Sequence, residues 1–204
     1  MFIKLSSLIL ALCLTIFNVA NAYAECACMQ HKDPSVLMQE EQLRARTLQS
    51  ESQRTIARNF WHEKLNFDAG AAYTTAVDKA VAELADARKL SDTGTMTAVR
   101  FEALLAHTAD IQREAADYFR SQNELGTAAR HLESALANEV EAKADSGSLA
   151  DHYDELAQLY EAAHQYSKAA EFYKKRIQLA EQTKGRYSPE VAQLTAHLQQ
   201  LASK

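Results

Sequence analysis

Between Phe119 and Tyr173 the chain repeats itself. The stretch FRSQNELGTAARHL (119–132) lies over YEAAHQYSKAAEFY (160–173), with Phe119 on Tyr160, Leu125 on Tyr166, Ala128 on Ala169 and Leu132 on Tyr173, all at one offset, that from 119 to 160. The same offset taken once more carries Tyr153 onto Leu194, Ala157 onto Leu198 and Tyr160 onto Leu201, so the chain ends by repeating the first half of the unit. Apolar residues within the unit step by three and four, the period of a helix. A recurrence of this length in helical sequence means stacked helical hairpins. Tyr153, Leu156, Ala157 and Tyr160 form one stripe, and Ala169 and Tyr173 form the facing one. The small Ala157 and Ala169 let two backbones approach closely while the aromatic rings fill the space beside them. Neither hairpin hides both stripes alone, so each must stack on a neighbour.

The rest of the chain agrees with an all-α fold. It holds 204 residues with two prolines and five glycines, and Ala, Leu, Glu, Gln, Lys and Arg dominate over β-branched residues. Gly70, Gly94, Gly126, Gly147, Gly185 and Ser188-Pro189 serve as punctuation. They predict seven helices, at 35–66, 71–91, 95–122, 126–145, 148–164, 167–183 and 188–202, packed antiparallel through short connections. Asp33-Pro34 or Ser35 starts the first, and Ser188 with Pro189 starts the last. No stretch alternates with the period of a strand.

The N-terminus reads as an address. One lysine, the short apolar run Leu5–Phe17, and small residues at Ala20-Asn21-Ala22 or Ala22-Tyr23-Ala24 predict a signal peptide over residues 1–24, cleaved after Ala22 or Ala24. The run is too short, and too broken by Ser6 and Ser7, for a membrane span. Glu25 before Cys26 and Leu12 before Cys13 do not fit a lipidation site. The expectation is a periplasmic or secreted protein without stable membrane insertion after cleavage. The expected division is a flexible Cys-containing segment at 25–34, a helical region without a convincing repeat at 35–108 (a degenerate hairpin pair or a separate helical cap), and the repeats plus a terminal capping helix at 109–204. The formal net charge of −5 is spread over both signs with no basic block, which argues against nucleic acid or an anionic membrane surface as a partner.

The spacing resembles the tetratricopeptide repeat (TPR), which places an aromatic, Leu and a small residue, Tyr, Ala, an aromatic and a late proline. Here those positions are Tyr153, Leu156, Ala157, Tyr160, Ala169, Tyr173 and Pro189. The long period and the run YKKRIQLAEQTKGRYSPEVA are most similar to the repeats of kinesin light chains and their bacterial relatives. Residues 150–190 match well; 109–149 match less, because Gln112 and Ala115 stand where an aromatic and Leu are usual. The resemblance implies a short TPR-like α-solenoid that binds a peptide or partner protein on a concave face made by the first helix of each hairpin. Mapped residue by residue, that face holds Asp110, Arg113, Asp117 and Arg120, then Asp151, Asp154, Gln158 and Glu161, then Thr195 and Gln199. Three carboxylates in the second group call for a partner carrying Lys or Arg. The Lys/Asn/Arg clamp that some cytosolic TPR domains use for a C-terminal carboxylate is missing.

Motifs for chemistry are sparse. There is no phosphate loop, nucleophile elbow or zinc-protease motif, and Glu161-x-x-His164 is a single half of a di-iron pattern. No enzyme activity and no cofactor are expected, and Trp61 is expected to pack between helices. One constellation stands apart. Cys26, Cys28, Met29 and His31 are soft donors of the kind that hold Cu(I), so periplasmic metal handling is the alternative reading. In an oxidising compartment Cys26 and Cys28 are also disulfide candidates, within the chain or between chains. The latter, or end-to-end stacking of the terminal helix, would make a structural homo-oligomer.

Overall fold

A computed structural model describes residues 33–202, so the expected signal peptide and the segment Cys26, Cys28, Met29 and His31 lie outside the described residues. The chain divides into two compact units, 1–42 and 43–204. In the first, the described residues 33–42 open a helix. Asp33 caps it by accepting from the Ser35 N–H at 2.8 Å, with Pro34 in the first turn, where its missing N–H costs nothing.

Seven helices run through the described residues: α1 Pro34–His62, α2 Asn66–Asp92, α3 Ala98–Ser121, α4 Leu125–Glu141, α5 Ser146–Ala162, α6 Tyr166–Lys184 and α7 Pro189–Leu201. No strand is present among them. Within the second unit the helices pack antiparallel in chain order, as α3 on α4, α5 on α6 and α7 against α6. The caps follow the sequence where side chains can make them. Asp145 accepts from the Gly147 and Ser148 N–H groups, Thr97 from Arg100, and Ser188 from Val191 just ahead of Pro189.

Five turns share one construction, those at Gly94 and Lys143 between hairpins and three more within them. Lys64, Asn123 and His164 take the left-handed conformation at φ 61°, 62° and 58°. The next residue donates back into the last turn of the helix: Leu65 N–H to Phe60 O at 2.8 Å, Glu124 to Phe119 at 2.9 Å, and Gln165 to Tyr160 at 2.9 Å. This is the Schellman arrangement, which satisfies the last carbonyls of one helix while reversing the chain into the next. None of the three following helices has a side-chain cap. Within the hairpins the chain reverses without a cap, whereas the helices after Gly94 and Lys143 are capped by Thr97 and Asp145.

Aligning on this turn shows what the sequence spacing hid. Asn123 and His164 stand at the repeat offset, but Lys64 and Asn123 are further apart. With Lys64 placed on Asn123, Ala57, Ala116 and Ala157 coincide, as do Ala69, Ala128 and Ala169, all buried. Tyr73, Leu132 and Tyr173 likewise share a position and are buried, and Phe60 stands with Phe119 and Tyr160. Helices α1 and α2 therefore form a hairpin of the same kind. The extra length lies beyond the turn: α2 has 27 residues against 17 in α4, and α3 has 24 against 17 in α5. The connection between α2 and α3 is also slightly longer than that between α4 and α5. The extension carries a satellite core of Leu43, Ala87 and Met96, flanked by Leu90, Phe101 and Leu104.

Several expected boundaries move: the second helix starts at Asn66 rather than 71, the third at Ala98 rather than 95, and the fourth ends at Glu141 rather than 145. The first helix ends at His62 rather than 66, and Gly70 lies inside α2. A Cβ at Gly70 would sit 3.2 Å from the Tyr118 hydroxyl and 3.3 Å from its ring, so the glycine admits a ring rather than a turn. Tyr118 uses that access to donate to the Asn66 carbonyl and to pack edge-on to Trp61 at 5.7 Å. Trp61 also meets Tyr73 edge-on at 6.2 Å, as expected of a helix-packing residue.

Two outcomes are expected from this packing. Tyr160 is 1% exposed, stacks on Phe172 at 5.6 Å and donates to Glu133 at 2.8 Å. Tyr160→Ala should cost about 3–5 kcal/mol in chemical denaturation; an unchanged midpoint would remove the stacked-hairpin account. Gly70→Ala should destabilise by roughly 1–3 kcal/mol through overpacking against Tyr118, and a Tm equal to wild type would show that the ring moves freely.

Candidate partner-binding surface

The first helices of successive hairpins, α1, α3, α5 and α7, carry the residues that the sequence selects for binding. With Lys64, Asn123 and His164 aligned, Asp110 falls in line with Glu51 and Asp151, and Arg113 with Arg54, Asp154 and Thr195. Asp117 falls in line with Arg58, Gln158 and Gln199, and Arg120 with Trp61 and Glu161. The repeat offset alone could not find Glu51, Arg54 and Arg58, because the inserted turns of α2 and α3 displace them.

Much of this charge is already engaged. Glu114 of α3 takes two bonds from Arg58, at 2.6 and 2.7 Å, one from Arg54 at 2.7 Å and one from the Tyr73 hydroxyl at 2.9 Å. It thereby joins α1, α2 and α3 through one carboxylate. Burial pushes the Glu114 carboxyl up, but the hydrogen bonds from Arg58, Arg54 and Tyr73 outweigh it and hold the group below the usual carboxylate range. One repeat later Glu155 of α5 takes the equivalent place, pairing with Arg120 at 2.7 Å and Arg113 at 3.8 Å and so joining α5 to α3. Arg54–Glu114 and Arg113–Glu155 are the same contact in successive repeats.

Arg120 also holds Asp117 at 2.5 Å. Burial nevertheless raises the Asp117 carboxyl above its ordinary value, with the charges of Glu155 and Glu114 adding to it against Arg120 and Arg113. Arg113 lies 3.6 Å from Glu139, which in turn meets His152 at 2.5 Å. Gln112, unusual for its repeat position, is 3% exposed and accepts from Asn138 at 2.9 Å. Glu161 is bound to His197 at 3.0 Å and accepts from Tyr173 at 3.4 Å, linking α5, α6 and α7. Thr195 spends its hydroxyl on the Val191 carbonyl, and Gln158 donates to Asp154 at 3.0 Å. Asp110, Asp117, Arg120, Asp151, Gln158 and Gln199 are exposed, and Asp154 is half-buried.

One arrangement imitates a catalytic triad. Ser50 Oγ lies 3.4 Å from His107 Nε2, and His107 Nδ1 lies 3.3 Å from Glu51. Ser50 is fully buried within α1, and its hydroxyl is shared between the Thr47 carbonyl and Glu83. A nucleophile must be reached by its substrate; this one is packing. No group of three or more His, Cys, Asp or Glu placed to hold a metal ion occurs among the described residues. An open recess of about 520 Å³ between the α3–α4 turn, Tyr160 and Lys168 recurs, at about 630 Å³, between the α5–α6 turn and Leu201. Its recurrence with different linings makes it a product of hairpin stacking.

No protein-family model matches the chain, and no curated protein matches it. Among solved structures it is similar to BtubC (BKLC) from P. vanneervenii, at 16% identity over 78% of this chain with a TM-score of 0.38. The chain spans 65% of the length of that protein. It is also similar to a kinesin-light-chain protein of nearly identical TPR-like repeats from Podosopora anserina, at 18% identity over 77% of this chain and 93% of that one, TM-score 0.37. The hairpins described above are TPR-like repeats. Their turns, buried alanines and Arg–Glu pairs recur at equivalent positions along the chain.

The Glu114 junction has a testable sign. Its folded-state carboxyl lies below the unfolded value, so its contribution is complete above that unfolded value and is lost as pH falls through the folded one. Glu114→Gln should cost about 2 kcal/mol at pH 7, from lost charge-assisted bonds. The gap from wild type should narrow in denaturation curves taken below about pH 4. A gap that stays constant with pH would mean that the carboxylate's charge is not what clamps the hairpins.

Proposed function

We propose that this protein is an exported, non-catalytic interaction module that holds a basic peptide or protein segment against the first helices of its hairpins. One observation carries the reading. The arginines of this surface are tied to Glu114, Glu155 and Asp117, while Asp110 and Asp151 occupy equivalent positions in successive repeats and stay exposed, with Asp154 one turn on. The surface thus offers carboxylates, while its arginines, though Arg58 and Arg120 reach water, are each paired with one. Charge of one sign, held on rigid helices, favours Lys and Arg on the partner and speeds encounter. The N-terminal address supports export, and the buried Ser50 supports a role without covalent chemistry.

A fluorescent Lys-rich peptide and an acidic peptide of equal length make the test, by anisotropy at low and at physiological salt. The Lys-rich peptide should bind, more weakly as salt rises, and Asp151→Lys/Asp154→Lys should weaken it at least tenfold while leaving the melting curve in place. Equal binding of both peptides, or no effect of the double reversal, would sink the acidic-surface reading.

A further inference from the structure

The second helices of the three hairpins share a backbone position but differ on their outer faces. At the places of Phe67, Ala71, Thr74, Asp78 and Val81 in α2, helix α4 has Gly126, Arg130, Glu133, Ala137 and Val140, and α6 has Ser167, Glu171, Lys174, Gln178 and Glu181. Helices α4 and α6 meet water with charged groups; α2 offers one carboxylate in a line closed by Ala85. Phe67 is 90% exposed and Val81 45%, and every member of the α2 line is exposed. The line steps by four and three, 67–71–74–78–81–85, which is the seam of a two-helix coiled coil. It lies opposite the side that buries Ala69, Ala76 and Leu84 in the protein's own core.

We propose that this face of α2 is an isologous interface on which a second copy of the chain docks, antiparallel, with the two-fold axis level with residue 76. Under that symmetry Phe67 of one copy meets the small Ala85 of the other, Ala71 meets Val81, and Thr74 meets Asp78. Each pair sets large against small or hydroxyl against carboxylate. The flanking positions are complementary in charge. Side chains lean toward the N-terminus of their own helix, so in an antiparallel pair Asp68 and the long Lys89 lean toward each other, twice per dimer. Asp68 is exposed, and the Lys89 side chain is 77% exposed, its ammonium held by Asp86 at 2.9 Å within its own helix. An isologous contact needs this self-complementarity, residue i on j and j on i. One helix per copy makes an interface at the small end, below about 1,200 Å², so the association is reversible and depends on concentration. The reading does not rest on the peptide surface of α3 and α5, which belongs to other helices.

Sedimentation equilibrium between about 5 and 500 μM, in reducing agent so that no disulfide contributes, tests it by a mass-action dimer. Wild type should pass from monomer to dimer across that range. Phe67→Glu should stay monomeric with an unchanged melting curve. Lys89→Glu should weaken the dimer at least fivefold, and Asp68→Lys/Lys89→Glu should restore it. Asp78→Asn should tighten it, because the two carboxylates come close across the axis. Wild type that stays monomeric throughout, a dimer that survives Phe67→Glu, or a failed restoration in the double reversal would each overturn the proposal.

Discussion

The close approach of two helices at buried alanines is the constraint on which the remaining structure depends. Ala57 and Ala69, Ala116 and Ala128, and Ala157 and Ala169 flank the three hairpin turns at equal distances, and each is buried. A larger side chain at any of them would force the helices apart and withdraw Tyr73, Leu132 or Tyr173 from the seam. The left-handed residue in each turn fixes how far along the helices those alanines meet. Lys64, Asn123 and His164 are not glycines, so each turn bears a conformational cost that the two packed helices must outweigh.

Between hairpins the chemistry changes from packing to paired charge. Glu114 and Glu155 each receive arginines from neighbouring first helices, and Glu161 receives His197 at the last joint. Such pairs are partly withdrawn from water, so they fix register more than they add stability. They also decide what the surface can offer a partner. Arginines committed to neighbouring carboxylates leave Asp110 and Asp151 as exposed charges beside the paired Asp117 and Arg120. A binding reading based on charge therefore follows from how the array holds itself together.

The hairpins from α3 onward were legible in the sequence because their signal is local. Ala, Tyr and Leu at three- and four-residue steps, recurring at one fixed offset, survive any detail of packing. Gly70 misled for a physical reason: a glycine that admits Tyr118 against a helix looks, in sequence, like one that ends a helix. The true turn used Lys64, a residue with no turn signature of its own. Arg113, Asp117 and Arg120 were found by their position, but their partners Glu139 and Glu155 were not, since nothing in spacing tells which exposed carboxylate reaches across to the next helix.

By itself, then, the sequence determined an all-α chain of stacked hairpins, the shared spacing of the two later ones, and the acidic character of α5. Those follow from helical periodicity and composition, which act over a few turns. Only the tertiary structure decided that α1 and α2 are a hairpin of the same kind, that Glu114 joins three helices, and that α2 turns a nearly uncharged face outward. Each of these depends on residues far apart in the chain, Arg54 and Glu114 among them, brought together after the added turns of α2 and α3 shifted the register. An insertion erases a fixed offset in sequence, yet a hairpin lengthened at its open end keeps the same turn and the same alanine contact in space.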